Sequence, residues 1–249
     1  MDHDDETVGR ILGRREVLAL MGTTGAAVLV GCSLGQSADT GGGGNTGGDV
    51  AYPACIVTPE LTEGPYYVEE DLSRADIRAD TQTGEVSEGV PLELTLRVFE
   101  IGNGCQPLAG AVVELWQCDA LGVYSGVQDR SFDTTGQNFL RGNQTTDENG
   151  EVQFTTLYPG WYRGRTVHIH FKVLGEIAGE NAQFASQFFF DESVTDVVHR
   201  EEPYASRGYR TVLNEQDGIY RQGGSQLLLS PTESGGTYTA SFDIGLYTA

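Results

Sequence analysis

The chain has 249 residues, with 36 Asp and Glu against 15 Lys and Arg, a formal net charge of −21, and four histidines. So much acid without clustered base argues against nucleic-acid binding. Acid spread along the whole length, with arginine in place of every lysine but Lys172, is the pattern of a protein from a salt-rich habitat. There, carboxylates keep the surface hydrated and salt screens their repulsion.

Arg14-Arg15 stands ahead of an apolar run over 19–30 that is too short to span a bilayer and suits a signal segment. The run ends Leu29-Val30-Gly31-Cys32. Together these resemble a twin-arginine export signal with a lipobox, in which Cys32 would carry lipid. Residues 33–50, rich in Gly, Ser, Thr and Asp, cannot bury a core and read as a flexible tether. The expectation is a signal over 1–32, a tether over 33–50 and one folded domain over 51–249. That domain would sit on the extracytoplasmic face, meeting the membrane only through the lipid. In that oxidising compartment Cys55, Cys105 and Cys118 give one disulfide and one free thiol. Cys55 and Cys105 lie in loop-like sequence and Cys118 ends a strand, so a Cys55–Cys105 bridge is favoured. No C-x-x-C unit supports a thiolate metal site.

Within the domain, Pro91 to Phe99 alternates cleanly, with Leu92, Leu94, Leu96 and Val98 on one face. Ala111 to Gln117 is a second strand. Asp147-Glu148-Asn149-Gly150 is a turn before a strand over Glu151 to Thr156. Further strands are expected at Val167 to Leu174 and Gln183 to Phe190, with Ser225 to Leu229 and Thr237 to Ile244 as a closing pair. Val194 to Arg200 and Ala205 to Tyr209 read as short helical turns. Short strands separated by Gly, Asp and Pro imply an all-β fold, an antiparallel sandwich or barrel.

The strand from Val167 carries chemistry. Its period of two sends Val167, Ile169, Phe171 and Val173 one way, and His168, His170 and Lys172 the other. Two imidazoles on one face, about 6–7 Å apart at Cα, can converge on one ion. By itself an H-x-H pair reads equally well as two solvent-facing histidines. No third histidine stands at zinc spacing, and His199 lies in an acidic, exposed-looking stretch. Tyr162 on the loop entering this strand, and Tyr124 just past the Trp116 strand, are the more suggestive companions.

Four motifs in order carry a resemblance: Thr62-Glu63-Gly64-Pro65-Tyr66-Tyr67; Trp116-Gln117-Cys118-Asp119-Ala120 running on to Tyr124-Ser125; Pro159-Gly160-Trp161-Tyr162; and Arg165-Thr166-Val167-His168-Ile169-His170-Phe171. The chain resembles the intradiol ring-cleavage dioxygenases of the catechol and protocatechuate type, over about Cys55 to Phe190. The resemblance implies a β-sandwich and non-haem Fe(3+) held by Tyr124, Tyr162, His168 and His170. It implies O2 and a catechol-type substrate cleaved between its two hydroxyls to a cis,cis-muconate-type product. It also implies that Tyr162 leaves the metal as substrate binds, that Arg165 stabilises charge developing on the ring, and that Gln187 stands near the iron. The donor types agree: two phenolates favour Fe(III), and a bound cation deprotonates its tyrosines. Tyr66 and Tyr67 line the pocket mouth or simply pack; Arg163 defaults to a surface ion pair. Dedicated catechol dioxygenases carry a helical dimerisation segment; here the expected tether occupies that space, so the resemblance does not carry the usual dimer over. The competing reading is a lipid-tethered module that captures phenolics, catecholates or iron without turnover; four ligands plus Arg165 argue for an enzyme.

Overall fold

The alternation of β1 (Pro91–Glu100) decides where the core lies: Leu92, Leu94, Leu96 and Val98 are each at most 1% exposed, whereas Glu93 is open to solvent. In the computed structural model, which describes residues 56–177 and 180–247, ten strands, β1 included, form two sheets. After β1 come β2 (Gln106–Pro107), β3 (Val112–Trp116), β4 (Arg141–Thr145), β5 (Glu151–Leu157), β6 (His168–Ile177) and β7 (Glu180–Phe190). The short helix α1 (Glu192–Val198) precedes β8 (Leu228–Leu229), β9 (Thr232–Ser234) and β10 (Thr237–Leu246).

One sheet runs β2-β1-β10-β9, with β5 pairing β1 as well; the other runs β4-β3-β6-β7-β8. The leucines of β1 meet Val113 and Leu115 of β3, Ile169, Phe171 and Val173 of β6, and Phe188 and Phe190 of β7 in one core. Burying such side chains contributes about 1.5–3 kcal/mol each, and this core fixes β6 with its other face turned away from the sandwich interior.

The architecture is mostly β, as expected, but the sheets are mixed rather than antiparallel. β10 runs parallel to β1, from Leu92↔Tyr238 to Glu100↔Leu246, and β8 runs parallel to β7. Thr237 to Ile244 and Ser225 to Leu229 therefore do not form a closing pair; they belong to different sheets. β5 already covers one edge of β1, so the returning chain fills the other edge in the parallel sense. Residues Gly224–Gln226 form a 3-10 turn, which shortens the expected strand to Leu228–Leu229. The helical turn expected from Val194 is α1, whose N-terminus is capped by the Asp191 carboxylate accepting from the Ser193 N–H. Tyr204–Arg207 is a 3-10 turn in place of the second.

The export signal, the lipobox at Cys32, the tether and Cys55 lie outside the described residues. Cys105 is disulfide-bonded and Cys118 is a free, buried thiol. Among the described residues no helix is long and apolar enough to cross a membrane.

Candidate metal centre

Strand register builds the floor of the site. Trp116 of β3 pairs with His170 of β6, and His170 with Gln187 of β7, so these three stand in a row across the second sheet. The indole stacks on the His170 ring, centroids 5.0 Å apart and 7° from parallel. One step along, Lys172 pairs with Glu114. Its ammonium lies 3.2 Å from Glu63 Oε2 and 4.3 Å above the Tyr67 ring.

This face is not solvent-facing. Residues 58–67 run across it, with the Leu61 N–H donating to the Ala185 carbonyl and the Gln187 amide donating to the Thr62 carbonyl. His168 and His170 are 2% and 1% exposed. The alternation expected of this strand holds, while the reading of exposed histidines fails because a segment outside the sheet covers it.

Two loops bring in the phenols. Tyr124 follows the turn over 119–122, where the Asp119 carboxylate accepts from the Leu121 and Val123 N–H groups. Tyr162 sits on the turn between β5 and β6. The two loops interlock: Gly122 has φ +78, and a Cβ there would run into the Trp161 carbonyl oxygen. Tyr124 is fully buried and Tyr162 partly so. Tyr66 covers them, stacked on Tyr124 at 4.5 Å and edge-on to Tyr162 at 5.7 Å.

The four side chains converge. His168 Nε2 is 3.0 Å from His170 Nε2, 3.4 Å from the Tyr124 hydroxyl and 3.3 Å from the Tyr162 hydroxyl. His168 Nδ1 lies 2.6 Å from the Thr166 carbonyl, so Nδ1 carries the proton and Nε2 presents its lone pair. A single proton satisfies one of these contacts, whereas a cation among the donors satisfies all. An ion about 2 Å from each donor leaves neighbouring donors about 3 Å apart. Among the described residues His170 Nδ1 has no hydrogen-bond partner, so none of them ties up the imidazole at that end. The donor set, two imidazoles and two phenols, fits a hard, trivalent metal such as Fe(3+).

Electrostatics agree. Burial, then the Arg165 guanidinium, pushes His168 well below the usual imidazole range; burial, then His168 itself, does the same to His170. Both stay neutral, the form that ligates. Burial holds both tyrosines above their ordinary value, and Tyr124 is raised further by Tyr162. A bound cation reverses that sense.

Arg165 and Gln187 stand beside this cluster. Arg165 Nη2 donates to Gln187 Oε1 at 2.6 Å, and Nη1 is 3.5 Å from His168 Nε2. Arg163 is exposed. Tyr67 turns away, donating to Glu114 at 2.9 Å and packing edge-on against Trp116. His199 is remote, bonded to the Pro159 carbonyl. Sequence reasoning missed Asp217, whose carboxylate takes the Arg165 Nε at 2.8 Å. In a chain with 36 acids nothing marked it out.

Comparison with known proteins is consistent with this geometry. The family model described as Dioxygenase matches residues 62–200. The protocatechuate 3,4-dioxygenase beta chain of Burkholderia cepacia is 30% identical over 197 residues, 73% of this chain and 76% of its own. Catechol 1,2-dioxygenase 1 of Acinetobacter lwoffii is 31% identical over 147 residues, 49% of this chain and 43% of its own. The solved structure of an intradiol ring-cleavage dioxygenase from Tetranychus urticae superposes with a TM-score of 0.69 at 34% identity, covering 78% of this chain and 95% of that one. With a two-tyrosine, two-histidine cluster on a matching scaffold, the chain belongs to the intradiol ring-cleavage dioxygenase family and is an intradiol ring-cleaving dioxygenase.

Proposed function

We propose that the protein is a non-haem Fe(3+) enzyme that cleaves a catechol-type aromatic between its two hydroxyls, placing both atoms of O2 in a cis,cis-muconate-type product. What carries the reading is the meeting of His170 Nε2 and the two phenol oxygens of Tyr124 and Tyr162 around His168 Nε2, all within 3.0–3.4 Å. Tyr124, Tyr162, His168 and His170 would hold the metal. Ferric iron bound there supplies a Lewis acid and electron acceptor for a chelated catecholate.

The protein's residues do the rest. A catechol would give up two protons on chelation; Tyr162, its turn leaving it less enclosed than Tyr124, would take one at Oη, and the other would pass to solvent. Tyr124, walled in by Tyr66, stays put. Arg165, aimed by Gln187 and itself only 6% exposed, would hold positive charge beside the ring where negative charge develops. Gln187 fixes that guanidinium and ties it to the segment over the site through the Thr62 carbonyl.

The test is a visible absorption spectrum of iron-loaded protein in high salt, before and after catechol is added under air. A tyrosinate-to-iron band that shifts and then gives way to muconate absorption in the ultraviolet is the expected result. A colourless protein with iron supplied, or a band that shifts and persists, overturns the proposal.

A further inference from the structure

Asp217 lies beyond the stretch that matches the family model, residues 62–200, yet it is 1% exposed, the most buried carboxylate among the described residues. Oδ1 accepts from the Ile219 N–H at 2.7 Å and the Tyr220 N–H at 3.0 Å. Oδ2 accepts from the Thr166 N–H at 2.9 Å and from Arg165 Nε at 2.8 Å. A carboxylate is tolerated so deep only when paired and hydrogen-bonded. With these partners, both oxygens are turned to the protein, so Asp217 is not itself a ligand for metal or substrate.

Its effect falls on Arg165. The guanidinium is a rigid plane, so fixing two of its nitrogens fixes the third. Asp217 holds Nε and Gln187 holds Nη2, which leaves Nη1 as the edge turned to the donor cluster, 3.5 Å from His168 Nε2. The segment bearing Asp217 is anchored too. Asn214 Oδ1 accepts from the Thr166 hydroxyl at 2.7 Å, and its Nδ2 donates to the Phe190 carbonyl at 2.8 Å. Adjacent residues 165 and 166 thus dock on Asp217 and Asn214, three residues apart, just ahead of the histidine strand.

We propose that Asp217 is a positioning residue for ring cleavage: it aims Arg165 Nη1 at the substrate held by the Tyr124, Tyr162, His168 and His170 site. The proposal rests on the reading of that site given above. A carboxylate that merely pinned two pieces of chain together would lower stability and leave kcat unchanged.

A double-mutant cycle separates the two roles. Arg165→Gln and Asp217→Asn are made singly and together in the full chain. kcat and KM for catechol are measured on iron-loaded protein, and thermal unfolding on metal-free protein. Asp217→Asn is expected to lower kcat by about tenfold or more with KM within about twofold. In the Arg165→Gln background it should lower kcat by less than about twofold. In metal-free protein the double variant should lose less in unfolding midpoint than the two single losses combined. Equal fold losses in both backgrounds, or an unchanged kcat, overturn the proposal. Because Asp217→Asn strands a buried guanidinium and can fail to fold, Asp217→Glu is the second variant. It keeps the charge on a longer stem, and should lower kcat about fivefold with iron content retained; parental kcat in this variant also overturns the proposal. A parent protein that does not turn over catechol overturns the reading of the site and this proposal together, whereas turnover with additive losses overturns this proposal alone.

Discussion

Gly64→Ala probes the seat of His170 directly. Gly64 sits at φ +76, and a methyl there would stand 3.1 Å from His170 Cε1. Two costs add. A left-handed backbone costs an L-residue about 1–2 kcal/mol. The contact is also short of the about 3.5 Å at which carbon atoms rest, so the ring has to give by a few tenths of an ångström. It is not free to swing, because the Trp116 indole lies against it. Gly84→Ala is the control: φ is +74, but among the described residues nothing lies within 4 Å, so only the backbone cost applies. In a domain of this size that cost lowers the unfolding midpoint by about 2–8 °C. Both variants should show it in metal-free protein. Only Gly64→Ala should also lose iron affinity, by about 10- to 100-fold, the size of effect expected when the support of a metal-binding histidine is disturbed. Thermal unfolding and competitive iron titration read the two quantities. Equal iron affinity in both variants would refute the claim that Gly64 keeps room for a ligand.

Two further outcomes follow from charge. Burial pushes His199 down to about 4, below the roughly 6.5 of an unfolded histidine. The unfolded chain therefore takes up a proton, between about pH 6.5 and 4, that the folded one refuses, and stability falls as pH drops through that window, by at most about 3 kcal/mol. His199→Phe, which can keep the stack on Tyr204, should be less stable at pH 7 but flatter across the window; urea midpoints at pH 7 and 4.5 check this, and an unchanged slope contradicts it. With a net charge of −21, raising salt from about 0.01 to 1 M, which shrinks the screening length from about 30 to 3 Å, should raise the unfolding midpoint. A flat or falling midpoint in KCl would sink the expectation of a salt-adapted surface.

Much of the scaffold was legible because burial writes itself into alternation: Leu92 to Val98 and Val167 to Val173 announce their faces. The four side chains that meet at His168 Nε2 were legible because their types and order are unusual. What could not be read lies in long-range partnership. Nothing in Thr237 to Leu246 says that it pairs with β1, still less in parallel. β4 is Arg-Gly-Asn-Gln-Thr, polar yet buried at Arg141 and Asn143, because the Asn143 N–H bonds the Leu72 carbonyl and Arg141 reaches the carbonyls of Tyr66 and Ser125. The cover over His168 and His170 comes from residues 58–67, distant in sequence. Asp217 looks like any other surface acid until the chain folds back to set it against Arg165.

The single lysine has a practical consequence. Lys172 lies in β6, which is flanked by β3 on one side and β7 on the other, so the peptide bond after it is paired into the middle of a sheet. A lysine-specific protease therefore has one place to cut in the whole sequence, and reaches it only when the sheet opens. Cleavage after residue 172 becomes a one-site clock for that opening, running without any label and without a turnover assay.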